Sequence, residues 1–300
     1  MQNPHNIYTK LVSQIKKYFD EAGFRKAVLG VSGGIDSALT LKLLVDALKP
    51  ENITGLIMPE HGITKDENTS HAKALCRFLK VHTHVVPINK YLQYLTLLPW
   101  RPSALAQMNT KARIRAIILY NFSNTNNTLV VGTSNKSELL LGYGTKHGDL
   151  AADILPLGDL YKTDVYSLAE HIGLPQEIIE KAPSAELCKG QTDESDLGAK
   201  YEEIDKILQE LEKDQTHLND PSNSNNPVGS ISSNDSTASF QSKTKTDFRI
   251  QNLFANSPES PHPIASPSHF AALSPLAENI STRMQKNKHK LQTPYIIKVA

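Results

Sequence analysis

Long apolar runs are missing from this 300-residue chain, and so is any surplus of charge. Nowhere do the roughly 18 or more consecutive apolar residues of a membrane-spanning helix occur, and the opening MQNPHNIYTK carries no apolar leader segment. A cytoplasmic protein with no membrane association is expected. Thirty-two Lys and Arg against 31 Asp and Glu leave no overall field to draw the chain to nucleic acid, so a small-molecule substrate is favoured. Cysteine is scarce. Cys76 and Cys188 stand far apart and outside any CxxC pattern, which excludes a disulfide scaffold, a zinc ribbon and a dithiol redox pair. Both are expected as buried thiols.

What is present is enough for a core: 39% of residues are apolar. Short β-type runs at 27–32, 53–59, 82–88 and 128–134 alternate with segments of helical period. Leu41, Leu44, Val45 and Leu48 mark one amphipathic helix, and Leu105, Met108, Ala112, Ala116 and Leu119 mark another. Further helices fit Lys162 to Ile172 and Tyr201 to Leu211. This alternation predicts a doubly wound α/β domain, a parallel sheet flanked by helices, with its ligand beyond the carboxyl ends of the strands.

After Asp214 the composition changes. Residues 215–269 are rich in Ser, Asn and Pro with few apolar anchors, and a segment that buries so little surface is expected to be disordered. The predicted organisation is therefore a main domain over 1–214, an insertion over 215–269, and a helix with a basic tail over 270–300 that completes the same domain. His61, His71, His82, His84 and His147 fit no metal-ligand spacing and are read as surface or packing residues.

The chemistry concentrates in GVSGGIDS, residues 30–37, between a strand-like and a helix-like segment. Backbone amides of Gly33 and Gly34 can curl around an anion, the following helix adds its positive end, and Ser32 and Ser37 add hydroxyls. The Lys of a GxxxxGK[ST] loop is absent. Asp36 is awkward beside phosphate unless a cation intervenes, which suggests a magnesium ligand; a plain helix cap is the other reading. Glu138, after a strand end and a polar turn, can point into the same crevice. Lys146, Lys162, Asp149 and Asp153 add charge to a Gly/Pro-rich stretch that could also be merely solvated.

SGGxDS after a first strand resembles the loop of ATP pyrophosphatases, which cleave between the α- and β-phosphates. The stretches GTSNKSELLLGYGTKHGDLAADILPLGDLYKTDVYSLAEHIGLP (132–175) and KAPSAELCKGQTDESDLG (181–198) narrow this further. They are similar to the ammonia-dependent NAD synthetase family, over about 5–214 and again about 270–298. The resemblance implies an adenine-nucleotide alpha-hydrolase-like fold of the ATP pyrophosphatase type. It also implies a ligase that joins deamido-NAD and ammonia at the expense of ATP, releasing AMP and pyrophosphate.

Carried over by position, the resemblance implies an ATP loop of Gly30, Val31, Ser32, Gly33, Gly34, Ile35, Asp36 and Ser37, with Thr133, Lys162 and Ser184 as further ATP contacts. Asp36 and Glu138 would hold Mg²⁺. Arg113, Lys146, Asp153, His289 and Lys290 would contact deamido-NAD, with the last pair closing over it. Asp36, Lys162 and Asp153 are the expected catalytic groups, Asp153 as an acceptor for the proton that amidation releases. A homodimer is implied as well. Ammonia rather than glutamine is the expected donor, because no nitrilase-type segment precedes the loop. Two rivals keep the loop: a tRNA-modifying enzyme, for which neither a basic surface nor paired cysteines is present, and a nucleotide sensor, against which the intact Asp36, Glu138, Lys162 and Ser184 speak.

Overall fold

The computed structural model describes residues 3–188, 190–218 and 274–291. Of the insertion expected to be disordered over 215–269, residues 215–218 instead end the helix Tyr201–Leu218, and 219–269 lie outside the described residues. Four strands, β1 (Ala27–Gly30), β2 (Ile53–Ile57), β3 (His82–Val85) and β4 (Leu129–Val131), form a parallel sheet in the order β3-β2-β1-β4. A further parallel bridge joins Val131 to Ile154. Helices α1 (Pro4–Ala22), α2 (Ile35–Leu48), α3 (Asp66–Phe78), α4 (Asn89–Gln93) and α5 (Ala104–Asn126) come before β4. After it follow α6 (Lys136–Leu141), α7 (Lys162–His171), α8 (Gln176–Ile179), α9 (Asp193–Leu197), α10 (Tyr201–Leu218) and α11 (Pro275–Asn287). The chain divides into a body, Met1–Leu208 with Pro275–Ala300, and a second unit, Gln209–Ser274, whose described part is little more than the last turns of α10.

Strand residues alternate between two cores, as a period of two requires. Ala27, Leu29, Ile53, Ile57, Leu129 and Val131 belong to a cluster with Phe19 of α1, Leu41 of α2 and Val165 of α7. Val28, Leu56 and Val130 belong to another, with Ile88 and Ile114 of α5. Helices thus cover both faces of the sheet, the doubly wound arrangement expected. β1 is buried on both sides and reads as the continuous run AVLG, whereas edge strand β3 is largely exposed.

Two helices depart from a simple one-sided stripe. In α2, Ala38, Leu39, Leu41, Leu43 and Leu44 are all buried, because the helix lies against the sheet on one side and meets α1 and α7 as well. In α5, Leu105 is 65% exposed, and the stripe Leu105, Met108, Ala112, Ala116 and Leu119 lines a cavity. Of the two cysteines, Cys76 is buried in α3 but Cys188 is exposed. Cys188 sits in the irregular stretch before α9, with no helix face to carry it into a core. α10 continues past the expected Leu211 to Leu218.

Candidate active site

The strand order reverses between β1 and β4, and the loops leaving these two strands open side by side. A crevice at such a switch point is the natural ligand site of an open α/β sheet. Here it is a cavity of about 600 Å³, lined entirely by residues of the body.

The first wall is the glycine-rich turn. Gly33 has φ +80°, and a Cβ there would stand 2.4 Å from the carbonyl oxygen of Asn68, so glycine is required for both conformation and space. Gly34 caps α2, and its N–H donates to Ser32 Oγ at 3.2 Å. Ser37 Oγ donates to the Gly34 carbonyl at 2.9 Å and lies 3.1 Å from Ser32 Oγ. Seryl hydroxyls thereby hold the turn in shape from within, while the start of α2 faces the cavity with its amides.

The second wall begins at α6. Asn135 is its N-cap: the Glu138 N–H donates to Asn135 Oδ1 at 3.0 Å, and the Asn135 N–H donates to Glu138 Oε2 at 3.3 Å. This capping box aims Glu138 at the crevice. Asn135 Nδ2 also donates to Asp36 Oδ1 at 3.0 Å, which ties the first residues of α2 to those of α6.

Between the two carboxylates sits Lys162, the first residue of α7, whose side chain is 1% exposed. Its Nζ lies 2.6 Å from Asp36 Oδ2, 3.4 Å from Glu138 Oε1 and 5.3 Å from the centre of the Tyr201 ring. Burial alone would lower its pKa, but the charges of Asp36 and Glu138 outweigh that and raise it, so Lys162 is a fixed cation. Burial pushes Glu138 up to about 8, against the pull of Lys162 and with the push of Asp36 and Asp193. The one ammonium is matched by Asp36 with Glu138 protonated, so anionic phosphates would leave the site short of positive charge. Asp36 and Glu138 therefore suit a hard cation, and no group of three or more His, Cys, Asp or Glu fit to hold a metal occurs among the described residues. The remaining ligands would come from phosphate oxygens and water.

A third wall comes from the 181–198 stretch. Ser184 Oγ donates to the Gln191 carbonyl at 2.7 Å and accepts from the Glu186 N–H at 3.1 Å. Tyr143 OH reaches Asp193 Oδ1 at 3.1 Å and Asp196 Oδ2 at 2.9 Å, and Tyr201 OH reaches Asp193 Oδ2 at 3.2 Å. Burial raises the pKa of Asp193, with Lys162 and the two phenols opposing. Across the cavity, Arg115 Nε donates to the Met58 carbonyl at 3.1 Å beside the apolar wall of α5.

Of the residues singled out from sequence, Gly30, Val31, Ser32, Gly34, Ile35, Asp36, Ser37, Thr133, Glu138, Lys162, Ser184 and Lys290 line this one cavity. Lys290 Nζ donates to the carbonyls of Gly142 at 2.8 Å and Gly144 at 3.1 Å, and α11 is pinned nearby by Asn287 Nδ2 to the Leu141 carbonyl at 3.2 Å. Gly33, which turns toward Asn68, and Arg113, Lys146, Asp153 and His289 lie outside the lining. Arg113 is exposed, its Nε on the Lys146 carbonyl at 3.3 Å. Lys146 Nζ in turn donates to the His289 carbonyl at 3.0 Å, whereas the His289 ring meets Lys286 O at 3.1 Å. Asp153 takes the Val130 N–H at 2.7 Å and the Tyr120 hydroxyl at 3.3 Å. Asn135, Arg115, Asp193 and Asp205 were not singled out. For Asn135 a signal existed, since Asn three residues before Glu is a capping-box pattern.

A doubly wound parallel sheet with a glycine turn after β1 and a buried Lys between two carboxylates defines a protein of the ATP pyrophosphatase type. The NAD synthase family model matches residues 7–244, and the chain belongs to that family. The NH(3)-dependent NAD(+) synthetase of Methanocaldococcus jannaschii is 46% identical over 219 residues, 72% of this chain and 84% of that protein. That of Fusobacterium nucleatum is 42% identical over 209 residues, 70% of this chain and 81% of the relative. Among solved structures, the NH3-dependent NAD synthetase of Campylobacter jejuni, in complex with the nitrate ion, has a TM-score of 0.70 at 30% identity, covering 99% of this chain and 100% of its own. The NMN synthetase of Francisella tularensis has a TM-score of 0.74 at 26% identity, with both chains covered in full.

Proposed function

We propose that this cavity adenylates the nicotinate carboxylate of deamido-NAD with ATP and then passes the acyl group to ammonia, in the cytoplasm and as a homodimer. Ammonia-dependent NAD⁺ synthesis is a C–N ligase reaction, and the chain spans more than four-fifths of its ammonia-dependent relatives from Methanocaldococcus jannaschii and Fusobacterium nucleatum. The observation that carries the mechanism is the buried Lys162 ammonium, 2.6 Å from Asp36 at the mouth of the glycine turn.

ATP would lie with its phosphates on the 30–37 turn, contacted by Thr133 and Ser184, and its base against the apolar wall of α5. Asp36 and Glu138 would hold Mg²⁺, which supplies positive charge to the phosphate oxygens when bound. The nicotinate carboxylate oxygen attacks Pα, the bond from Pα to the bridging oxygen breaks, and pyrophosphate leaves against the turn amides and Lys162. Ammonia then attacks the acyl carbon, the acyl–phosphate bond breaks, and AMP departs. One proton must be lost, and Asp153 or a water-linked carboxylate is its proposed acceptor, Asp153 reaching it through water because it lies outside the cavity lining. Arg113, Lys146, Asp153, His289 and Lys290 would hold the dinucleotide. Much of the rate would come from aligning two large substrates.

The test is to incubate the purified protein with ATP, Mg²⁺, deamido-NAD and ammonium and to measure NAD and AMP together. Equal amounts of both are expected. Separate arms replace deamido-NAD by nicotinate mononucleotide, and ammonium by glutamine. Faster turnover of the mononucleotide would overturn the substrate assignment, and AMP without amide would point to another acceptor.

A further inference from the structure

Asp205 has no part in the scheme above, yet it is 1% exposed in α10. A carboxylate so deeply buried is costly unless its oxygens are satisfied. Its partners are the Ser137 hydroxyl and the amide and hydroxyl of Thr163 rather than a cation. Oδ1 accepts from the Ser137 hydroxyl, and Oδ2 accepts from the Thr163 N–H at 2.8 Å. Ser137 is itself fully buried, and its Oγ accepts from the Lys162 N–H at 2.9 Å. Ser137 lies in the first turn of α6 and Thr163 in the first turn of α7, so the carboxylate stands at the positive end of α7, beside the start of α6.

The chain neighbours give this bridge its reach. Ser137 precedes Glu138 and Thr163 follows Lys162, the two groups that meet across 3.4 Å in the cavity. One carboxylate, through one hydroxyl, thereby ties together the two helix starts that carry them, beside the backbone bond from the Lys136 N–H to the Leu160 carbonyl at 2.8 Å. We propose that Asp205 is a positioning residue for the reaction centre, acting through Ser137 and the α7 amides to hold Lys162 against Glu138. This rests on the reading of Lys162 and Glu138 as reaction groups.

Asp205→Asn keeps the volume but removes the negative charge from the two helix starts and leaves one acceptor oxygen, so the Thr163 amide keeps its partner only if the Ser137 hydroxyl turns from donor to acceptor. At a temperature where the variant remains folded, kcat should fall about 10- to 100-fold, the loss typical when a group behind a metal ligand is removed. The Mg²⁺ concentration for half-maximal rate should rise, while KM for deamido-NAD stays within about twofold. Ser137→Ala, which cuts the same bridge, should do likewise, and the double variant should lose little more than Asp205→Asn alone. Leu208→Ala, in the same helix and also fully buried, should lower thermal stability without shifting the Mg²⁺ dependence. The proposal is overturned if the bridge variants keep kcat and Mg²⁺ dependence while Lys162→Ala and Glu138→Ala are inactive, or if Leu208→Ala reproduces their kinetics. Should Lys162→Ala and Glu138→Ala stay active, the reading of the site itself fails, and the proposal with it. If Asp205→Asn does not fold, Ser137→Ala alone decides.

Discussion

Lys162 and Arg113 bring the same charge to the proposed reaction, but the chain treats them differently. Lys162 is 1% exposed and bonded to carboxylates from two other helices, whereas Arg113 is exposed and bonded once, to the backbone of Lys146. The same contrast holds for their surroundings. Asp36, Glu138, Asn135, Ser137 and Asp205 form one network of side-chain bonds with Lys162 across α2, α6, α7 and α10, while Arg113, Lys146 and His289 are joined only through backbone carbonyls and Asp153 bonds elsewhere, to Val130 and Tyr120. A centre that must stabilise developing charge gains from being built before the substrate arrives, since its dipoles need not reorganise at the moment of reaction. Groups that hold a large, flexible dinucleotide need no such advance order. In the proposed reaction their geometry would be completed by the ligand, and in the proposed homodimer by a second copy.

That contrast can be broken most sharply at Lys162. Lys162→Ala leaves Asp36 and Glu138 facing each other with no cation, and AMP release should drop by roughly 10³-fold, the scale of losing one charge-stabilising group. Stability should fall by about 3–5 kcal/mol, as for one partner removed from a buried ion network. Near-normal turnover would remove the central claim. Next comes Gly33→Ala, which sets a methyl group against the Asn68 carbonyl at a left-handed φ. Strain of about 1–3 kcal/mol should appear as a KM for ATP raised roughly 10- to 100-fold. An unchanged KM would show that the turn does not hold phosphate.

A pH titration of metal-free protein probes the same centre through stability. Glu138 is raised from its ordinary value of 4.5 to about 8 by burial, so its favourable contribution is complete below about 4.5 and is lost as pH rises through about 8. Wild type should therefore lose thermal stability relative to Glu138→Gln across that window and run parallel to it above. Parallel curves throughout would mean that Glu138 is ionised in the folded state. Arg113→Ala is expected to be the mildest: KM for deamido-NAD rises about tenfold, kcat changes little, and stability stays within about 0.5 kcal/mol. If it instead behaves like Lys162→Ala, the division into a prebuilt centre and a ligand-completed rim is wrong.

Asp36 and Glu138 could be read from sequence because each lies in a local pattern whose chemistry is abnormal for a surface, a carboxylate in a glycine-rich turn and a Glu in a polar turn after a strand end, whereas Lys162 stood out only through the family resemblance. The sheet could be read because parallel strands buried on both faces leave short apolar runs. Asp205 could not, for in EEIDK it looks like any solvated helix acid, and its partner Ser137 is 68 residues away. Tyr143 and Asp193, 50 residues apart, were hidden in the same way. The stripe from Leu105 to Leu119 was visible as a stripe, yet periodicity reports only which side of a helix shuns water. It does not say whether a core or an empty crevice lies opposite.

Sequence alone thus determined the strands and the glycine turn after the first of them, because these depend on neighbours within a few positions, and the family, because its motifs are long and specific. Only the tertiary structure decided that Lys162 stands between two carboxylates, that the α5 stripe walls a cavity, and that Asp205 braces the centre from behind. Those are properties of distances between segments far apart along the chain, set by how helices pack on the sheet rather than by local preference.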